Sequence, residues 1–150
     1  MRVVIQRVLR ASVAVGPEET GAIGPGLLVL AGWEEADTRE DLQWMAQKIT
    51  VLRIFNNAEG VMDLSVKDTD GDILIVSQFT LHASTKKGNR PSYMAAARPQ
   101  QAFVLYEKFI SLLSIALSKP VHAGRFGEHM NVELINDGPV TIIIDSKNRN

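Results

Sequence analysis

The sequence predicts an α+β or β-rich mixed α/β fold with two main helices, in one domain that spans residues 1–150. Apolar runs of strand length outnumber the segments with helical spacing. Strands and helices do not alternate strictly, as they would in a doubly wound sheet. The chain has about the length of one domain, and it contains neither internal repeats nor a low-complexity linker.

The N-terminal segment is predicted to consist of strands. Residues 2–15 are rich in valine and isoleucine, which indicates one strand or two. The segment GPEETGAIGPG that follows has the composition of turns. LLVLAGW, residues 27–33, is typical of a short strand that is fully buried.

Two segments predict helices. Thr38 followed by Asp41 resembles a capping box, which marks the start of the first helix. Its apolar residues recur at helical spacing: Leu42, Met45, Ile49 and Leu52. Pro99 occupies a first-turn position of a longer helix, which ends before Pro120. The apolar face of this second helix carries Ala102, Tyr106, Phe109, Leu113 and Ala116.

Four further strands are predicted. VMDLSV, residues 61–66, alternates as a half-buried strand does, and ILIVSQF, residues 73–79, predicts a second buried strand. The DTDGD segment between them predicts an Asp-Gly hairpin turn. Residues 131–135 and 140–145 predict two strands that the segment NDGPVT interrupts. The Gly-Pro in this interruption indicates either a structural kink or an active site.

Composition excludes several classes of function. The formal net charge is −1, so any nucleic-acid-binding patch must be local. Cysteine is absent, which excludes thiol nucleophiles, thiolate metal sites and disulfides. Arginines interrupt the N-terminal apolar run, so neither a signal peptide nor a membrane span is expected there. We therefore expect a cytoplasmic protein without a membrane partner.

Metal and triad chemistry are not favoured. His82, His122 and His129 lack metal-ligand spacing, and the glycine of DTDGD is at the wrong position for a calcium loop. A triad of Ser77, His82 and Asp137 would lack the Gly-x-Ser-x-Gly elbow that presents such a serine. We expect neither a metal nor a cofactor.

The segment SQFTL turns polar at the end of a predicted buried strand. Ser77, Gln78, Phe79 and Thr80 would place hydroxyl, amide and main-chain N–H groups at the rim of the sheet, where ligands commonly bind. Termination of the strand by hydrogen bonds from serine and threonine explains the same residues equally well. Composition alone does not separate the two interpretations.

A basic loop follows this rim. KKGNRPS carries Lys86, Lys87 and Arg90 around a glycine. Most loops of this kind are simply solvated, but beside a ligand-binding rim these cations would suit a phosphate backbone. Arg90 is the strongest candidate because its guanidinium matches the geometry of phosphate.

SQFTL and NDGPVT, in this order and about sixty residues apart, resemble the two signature motifs of the D-aminoacyl-tRNA deacylases. The resemblance extends to IQRV, GLLVL, GNRPS and GRFGEHM, and it spans essentially the whole chain. It implies a compact domain, barrel-like or with two sheets, and a homodimer whose site lies at the subunit interface. Members of the family hydrolyse the ester between a D-amino acid and the 3′-terminal adenosine of tRNA. The implied partners are therefore D-aminoacyl-tRNA, through this adenosine and the acceptor stem, and a second copy of the chain.

The motif match also implies roles for residues. Gly138 and Pro139, joined by a cis peptide bond in the family, are the expected chirality selector, and Arg7 helps to fix their orientation. The four residues of SQFT are the expected rim that holds the scissile ester. Thr141 matches a threonine once considered a nucleophile, although a β-branched residue that restarts a strand is also expected here.

The chemistry expected from the resemblance needs few side chains. An aminoacyl ester is already activated by its α-ammonium group and the neighbouring ribose 2′-hydroxyl, so stabilisation of the oxyanion by main-chain N–H groups of Phe79 and Thr80 would suffice. Phe126 and Met130 are candidates for contact with the adenine base, with core packing as the alternative. Because glycine has hydrogen at both α positions, a selector that works by collision is expected to allow cleavage of glycyl-tRNA.

Two other functions stay open for this fold. An editing deacylase for mischarged L-alanyl- or glycyl-tRNA is expected to have altered signature motifs, whereas both motifs are intact here. A non-enzymatic relative linked to DNA binding at replication origins is expected to carry a longer C-terminal extension. Only SKNRN follows the last predicted strand, which is too short for a basic arm.

Overall fold

A computed structural model describes residues 1–150 as eight strands, two α-helices and one 3₁₀ turn. The strands are β1 Arg2–Val15, β2 Glu18–Ile23, β3 Gly26–Gly32, β4 Phe55–Asn56, β5 Met62–Leu64, β6 Asp72–Ser77, β7 His122–Ala123 and β8 Asn131–Asp145. The helices are α1 Arg39–Val51 and α2 Pro99–Leu117, and the 3₁₀ turn is Phe79–His82. The predicted mixed α/β class with two main helices is confirmed.

The long strand β1 organises the main sheet. One edge of β1 pairs antiparallel with β3 along its first half and with β2 along its second half. The other edge pairs antiparallel with β8, from Arg2 opposite Asp145 to Ala14 opposite Asn131. Beyond β3 the order continues through parallel β6 and β7, and β2 packs back against both of these strands. The sheet is therefore nearly closed and barrel-like.

Apolar side chains cover both faces of this sheet. Successive strand residues point to opposite faces, so Leu27 packs on the helical side and Leu28 on the other side. The larger cluster joins the sheet to α1 and α2 and contains Ile5, Phe109 and Leu113. Neither helix is long and apolar enough to cross a membrane.

Both helices begin where the sequence predicts. The Thr38 main-chain N–H donates to the carboxylate of Asp41 at 2.9 Å, and the Thr38 hydroxyl donates to the same oxygen at 3.1 Å. Pro99 lies in the first turn of α2, and Ser118, with φ +65°, follows the end of this helix. Most of the predicted apolar residues are buried, while Leu52 and Ala116 are half-buried.

The prediction of turns in the segment after β1 was wrong in part. Glu18–Ile23 forms the strand β2, because it pairs with the second half of β1. Its composition does not indicate a strand, and Gly21 fits here since a Cβ would lie 2.9 Å from the Leu74 side chain and 3.0 Å from the Ala123 oxygen. Long-range pairing outweighs local propensity in this segment.

Three other boundaries differ from the prediction. The DTDGD segment is a turn, but it does not form a hairpin, because β5 pairs with β4 and β6 pairs with β3 and β7. β6 ends at Ser77, two residues early, because the chain enters the 3₁₀ turn. β8 is one strand rather than two, since β1 pairs with it on both sides of the Gly-Pro dipeptide.

Candidate active site

A cavity of about 600 Å³ opens where β6 ends. Its wall includes Ser77, Gln78 and Phe79 from the SQFTL motif. The start of α2 and the segment between β7 and β8 also line the cavity. The structure thus brings the polar end of a buried strand to a pocket that is large enough for a small-molecule group.

The SQFT segment forms a compact turn at the rim of this cavity. The Gln78 main-chain N–H donates to the Ala31 oxygen at 2.7 Å, and the Gln78 side-chain amide donates to the Thr80 hydroxyl. Phe79 and Thr80 begin the 3₁₀ turn, where main-chain N–H groups have no acceptor within the turn. The Phe79 ring is exposed and packs edge-on against Tyr93, with 5.1 Å between ring centroids.

Aromatic side chains hold one wall of the cavity. Phe126 lies 5.4 Å from both Phe103 and Tyr106, measured between ring centroids. The Tyr106 hydroxyl donates to the Gly124 oxygen at 3.1 Å, which ties α2 to the segment that carries Phe126. Burial, together with the nearby Glu107 carboxylate, raises the pKa of Tyr106, so this hydroxyl stays a donor. Met130 lines the same wall.

The NDGPVT motif forms a bulge in β8. Thr141 pairs with Gln6 and Asn136 pairs with Val8, so residues 137–140 lie opposite Arg7 alone. We call residues 137–140 the β8 bulge. The peptide bond between Gly138 and Pro139 in this bulge is cis, and both residues are exposed.

Arg7 anchors the first residue of the β8 bulge. Its Nε donates to the main-chain oxygen of Asp137 at 3.1 Å and lies 3.2 Å from the Asp137 carboxylate. Its Nη1 donates to the Ile54 oxygen at 2.8 Å. Arg7 is buried, so its guanidinium is held on several sides, as the bidentate geometry of arginine allows.

The main-chain conformation and the close contacts of the bulge require glycine at position 138. Its φ of +131° is readily adopted by glycine, whereas residues with a side chain rarely adopt it. A Cβ here would lie 2.9 Å from Cγ2 of Val140 and 3.0 Å from Nη2 of Arg7. Both of these contacts lie within the bulge and its anchor.

The two motifs do not meet within one chain. Arg7, Gly138, Pro139 and Thr141 are not among the residues that line the cavity. The exposed Thr141 accepts a hydrogen bond from the Gln6 amide at 3.3 Å. Arg7 and Asp137 line a separate, polar depression of about 460 Å³.

The predicted basic residues lie on an exposed loop. A pair of main-chain hydrogen bonds between Ser84 and Ser92, of 2.8 and 2.9 Å, closes this loop at its base. Lys86, Lys87 and Arg90 are exposed in it and form no salt bridge. Tyr93, just beyond the loop, lines the cavity.

The triad that the sequence does not favour does not form in the structure. No hydrogen bond joins Ser77, His82 and Asp137. His82 is buried with its Nε2 unpartnered, and Asp137 is bound by Arg7.

Several residues of the cavity are not predicted from the sequence as site residues. Trp33, Arg98 and Glu128 line the cavity. One signal was available for Trp33: it follows β3, and the adjacent parallel strand β6 ends at the SQFTL motif, so both strand ends meet at one rim. Arg98 and Glu128 lie outside regular strands and carry no such signal.

Comparison with known proteins places these features in a family context. The sequence profile of the family described as D-Tyr-tRNA(Tyr) deacylase matches residues 4–145. The chain is 58% identical to the D-aminoacyl-tRNA deacylase of Akkermansia muciniphila and 57% identical to that of Flavobacterium johnsoniae. Each match covers 99% of both chains.

Two solved structures are also similar. A c-Myc DNA unwinding element binding protein superposes with a TM-score of 0.92 at 42% identity, over 97% of this chain and 98% of the other. A probable eukaryotic D-amino acid tRNA deacylase superposes with a TM-score of 0.81 at 19% identity, over 95% of this chain and 97% of the other. The second likeness supports the fold alone.

Proposed function

The chain belongs to the D-Tyr-tRNA(Tyr) deacylase family, and we propose that it is a D-aminoacyl-tRNA deacylase. It hydrolyses the ester that joins a D-amino acid to the 3′-terminal adenosine of tRNA, which releases the D-amino acid and the tRNA. One structural observation supports this proposal most directly: the SQFT segment forms the rim of a cavity. A rim of main-chain donors beside an aromatic wall suits an aminoacyl-adenosine end.

The aromatic wall is the proposed site of the adenine base. Phe126 and Met130 both line the cavity, and Phe126 is held by Phe103 and Tyr106 rather than free to rotate. A fixed aromatic ring offers a stacking surface to a base without relying on base-edge hydrogen bonds. The cavity volume of about 600 Å³ lies within the range of small-ligand sites.

The SQFT rim is the proposed site of the ester. Main-chain N–H groups of Phe79 and Thr80 stabilise the oxyanion that forms when water adds to the ester carbonyl; one such donor is commonly worth about 2.7–4 kcal/mol. The C–O bond to the ribose then breaks, and the ribose oxygen takes up the proton that the attacking water releases. Ser77 and the Gln78–Thr80 hydrogen bond hold the turn in place. The substrate's own α-ammonium group and 2′-hydroxyl activate the ester, so no protein nucleophile is required.

The β8 bulge is the proposed chirality selector. Main-chain oxygens of Gly138 and Pro139 lie against the Cα–H of a bound D-aminoacyl group, and an L side chain would collide with them. Rejection by collision does not require recognition of the side chain, so many D-amino acids are accepted. Glycyl-tRNA is cleaved as well, because glycine presents hydrogen on both sides.

A second copy of the chain is the proposed source of the selector. The bulge is exposed and lies outside the cavity of its own chain. β8 pairs only with β1, so its other edge is open. Pro139, Thr141 and Ile143 alternate along β8 and are all exposed, and Ile143 exposes 68% of its surface. This exposed row, which is apolar at Pro139 and Ile143, lies on an open strand and supports a homodimer whose sites combine the cavity of one subunit with the bulge of the other.

The basic loop is the proposed contact with the acceptor stem. Lys86, Lys87 and Arg90 are exposed and unpaired on a loop that leads directly to the cavity residue Tyr93. Phosphate contacts position a nucleic acid without reading its sequence. A loop of this kind therefore suits an enzyme that acts on many tRNAs.

A DNA-binding role is a second candidate. It is favoured by one observation, the similarity to a structure described as a c-Myc DNA unwinding element binding protein. The signature motifs and the cavity have no evident use in that role. It predicts binding of duplex or single-stranded DNA by a protein without ester hydrolase activity.

The test is hydrolysis of matched D-tyrosyl-tRNA and L-tyrosyl-tRNA under identical conditions. Rapid loss of the D ester, with the L ester spared, is the expected result. Equal cleavage of both esters would favour an editing role against L-alanyl- or glycyl-tRNA instead. Absence of cleavage, together with binding to DNA, would favour the second candidate.

A further inference from the structure

Asn136 closes the base of the β8 bulge. Its side-chain Nδ2 donates to the main-chain oxygen of Arg7 on β1 at 3.0 Å. The same nitrogen donates to the main-chain oxygen of Val140 at 3.0 Å. One partly buried amide group therefore bonds both the neighbouring strand and the last residue of the bulge.

These bonds occur where the strand ladder is interrupted. Because residues 137–140 lie opposite a single residue of β1, regular pairing cannot satisfy every main-chain oxygen at this position. A side-chain amide has two N–H donors, and here each has a carbonyl acceptor. A carboxylate of the same shape has no donor, and it would face two carbonyl oxygens.

The two ends of the bulge thus have separate anchors. The Arg7 guanidinium donates to the main-chain oxygen of Asp137, the first residue of the bulge, at 3.1 Å. The Asn136 amide donates to Val140, the last residue. Gly138 and Pro139 lie between these fixed points, so the two anchors determine how far the pair projects from the sheet.

We propose that Asn136 is a positioning residue for chiral discrimination. It acts through the β8 bulge and does not itself touch the substrate. The proposal rests on the proposed function, in which Gly138 and Pro139 face the α-carbon of the ester. When the anchor at Val140 is lost, the main-chain oxygens of the pair shift, and an L side chain gains the space from which it was excluded.

The test compares Asn136→Asp with wild-type protein on D- and L-tyrosyl-tRNA. The substitution removes both donors and leaves the side-chain volume almost unchanged. We expect kcat/KM for the D ester to fall by about 10–100-fold, because a displacement of about 1 Å has effects of this size. We also expect the ratio of D to L cleavage to fall by at least about tenfold, which a uniform loss of folded protein would not cause.

Asn131→Asp is the matched control. It introduces the same chemical change in the same strand at an exposed position that pairs with Ala14, far from the bulge. Asn136→Ser keeps one hydroxyl donor and is expected to give an intermediate ratio of D to L cleavage. If Asn136→Asp does not fold, the ratio of D to L cleavage by Asn136→Ser tests the proposal instead.

The failure of this inference is distinguishable from failure of the proposed function. A selective wild-type protein with an equally selective Asn136→Asp variant, or a fully selective Asn136→Ser variant in its place, overturns the inference alone. A wild-type protein that cleaves both esters equally overturns the proposed function, and this inference with it.

Discussion

The Arg7 guanidinium contacts Asp137 twice: its Nε lies 3.1 Å from the main-chain oxygen and 3.2 Å from the carboxylate. The two residues stand on paired strands, Arg7 on β1 and Asp137 at the start of the β8 bulge. Arg7 is buried while Asp137 is partly exposed, so the arginine fixes the aspartate rather than the reverse.

Substitution of Arg7 is expected to release the bulge. Lysine carries its three donors on one nitrogen, so it does not reproduce the spacing at which Nε and Nη1 of Arg7 reach Asp137 and Ile54. We expect Arg7→Lys to lower the free energy of unfolding by about 1.5–3 kcal/mol and to reduce selectivity for the D ester. Thermal unfolding and paired D and L hydrolysis assays measure these effects. Arg10→Lys is the control, since Arg10 is exposed on the same strand; an equal loss in both variants would contradict the prediction.

Gly138→Ala is expected to distort the bulge. The φ of +131° disfavours alanine by about 1–3 kcal/mol, and the added Cβ meets Arg7 and Val140. We expect lower thermal stability and a loss of D-ester hydrolysis of at least about a hundredfold. Gly24→Ala is the control, because nothing lies within 4 Å of a Cβ there. Normal hydrolysis by Gly138→Ala would show that the bulge does not take part.

Thr141 distinguishes two mechanisms. Its hydroxyl accepts from the Gln6 amide, which is not a base, so the structure provides no group to activate it as a nucleophile. We expect Thr141→Ala to change kcat by less than about tenfold. A loss beyond about a thousandfold in a folded protein would instead support a covalent mechanism. Thr141→Ser, which keeps the hydroxyl, would then retain activity.

Mixing of two inactive variants tests whether sites are shared between subunits. Gln78→Ala impairs the cavity and Gly138→Ala impairs the bulge, so neither homodimer has an intact site. A mixed dimer combines one intact cavity with the intact bulge of the other chain. We expect co-expression to restore about a quarter of wild-type activity, because half of the dimers are mixed and each has one good site. Activity no higher than that of the separate variants would argue for sites within one chain.

Asp41 is expected to make stability depend on acid pH. Burial would raise the pKa of its carboxyl, but hydrogen bonds from Lys147, Thr38 and Ser146 outweigh burial and hold this pKa well below its usual range. A carboxyl whose pKa is lower in the folded state stabilises the protein above the unfolded-state pKa of about 3.9, and this stabilisation is lost as pH falls.

We therefore expect Asp41→Asn to lower Tm at pH 7 and to flatten the decline of Tm between about pH 5 and pH 3. Thermal unfolding across this range, at one protein concentration, measures the difference. Glu40→Gln, in the same turn but exposed, is the control. Parallel pH curves for wild type and Asp41→Asn would contradict the assignment.

The sequence predicts the elements whose signals are local. The capping residues of α1 and the apolar spacing of both helices suffice to predict the two helices, because these signals lie within a few residues of each other. β2 was missed since its polar sequence becomes a strand only through pairing with β1. The continuity of β8 was missed for a related reason: Gly138 and Pro139 signal a break, while the pairing that bridges it is supplied by β1.

The candidate site was also predicted only in part from the sequence. The motifs of the sequence include Ser77, Gln78 and Phe79, as well as Phe126 and Met130, and the structure brings these five residues to one cavity. Their roles stay predictions. The separation of this cavity from Gly138 does not follow from spacing along the chain, because it depends on how the sheet curves. The Asn136 contacts depend on the position of β1 for the same reason.

The pairing of β1 with β8 also has a consequence for biosynthesis. Arg2 and Asp145 meet at one end of this pairing, although 143 positions separate them in the chain. At a translation rate of about 5–20 residues per second, Arg2 is made roughly 7–29 s before Asp145. During that interval one edge of β1 is open, and open strand edges favour aggregation. The nascent chain is therefore expected to be prone to aggregation until β8 has left the ribosome and paired with β1.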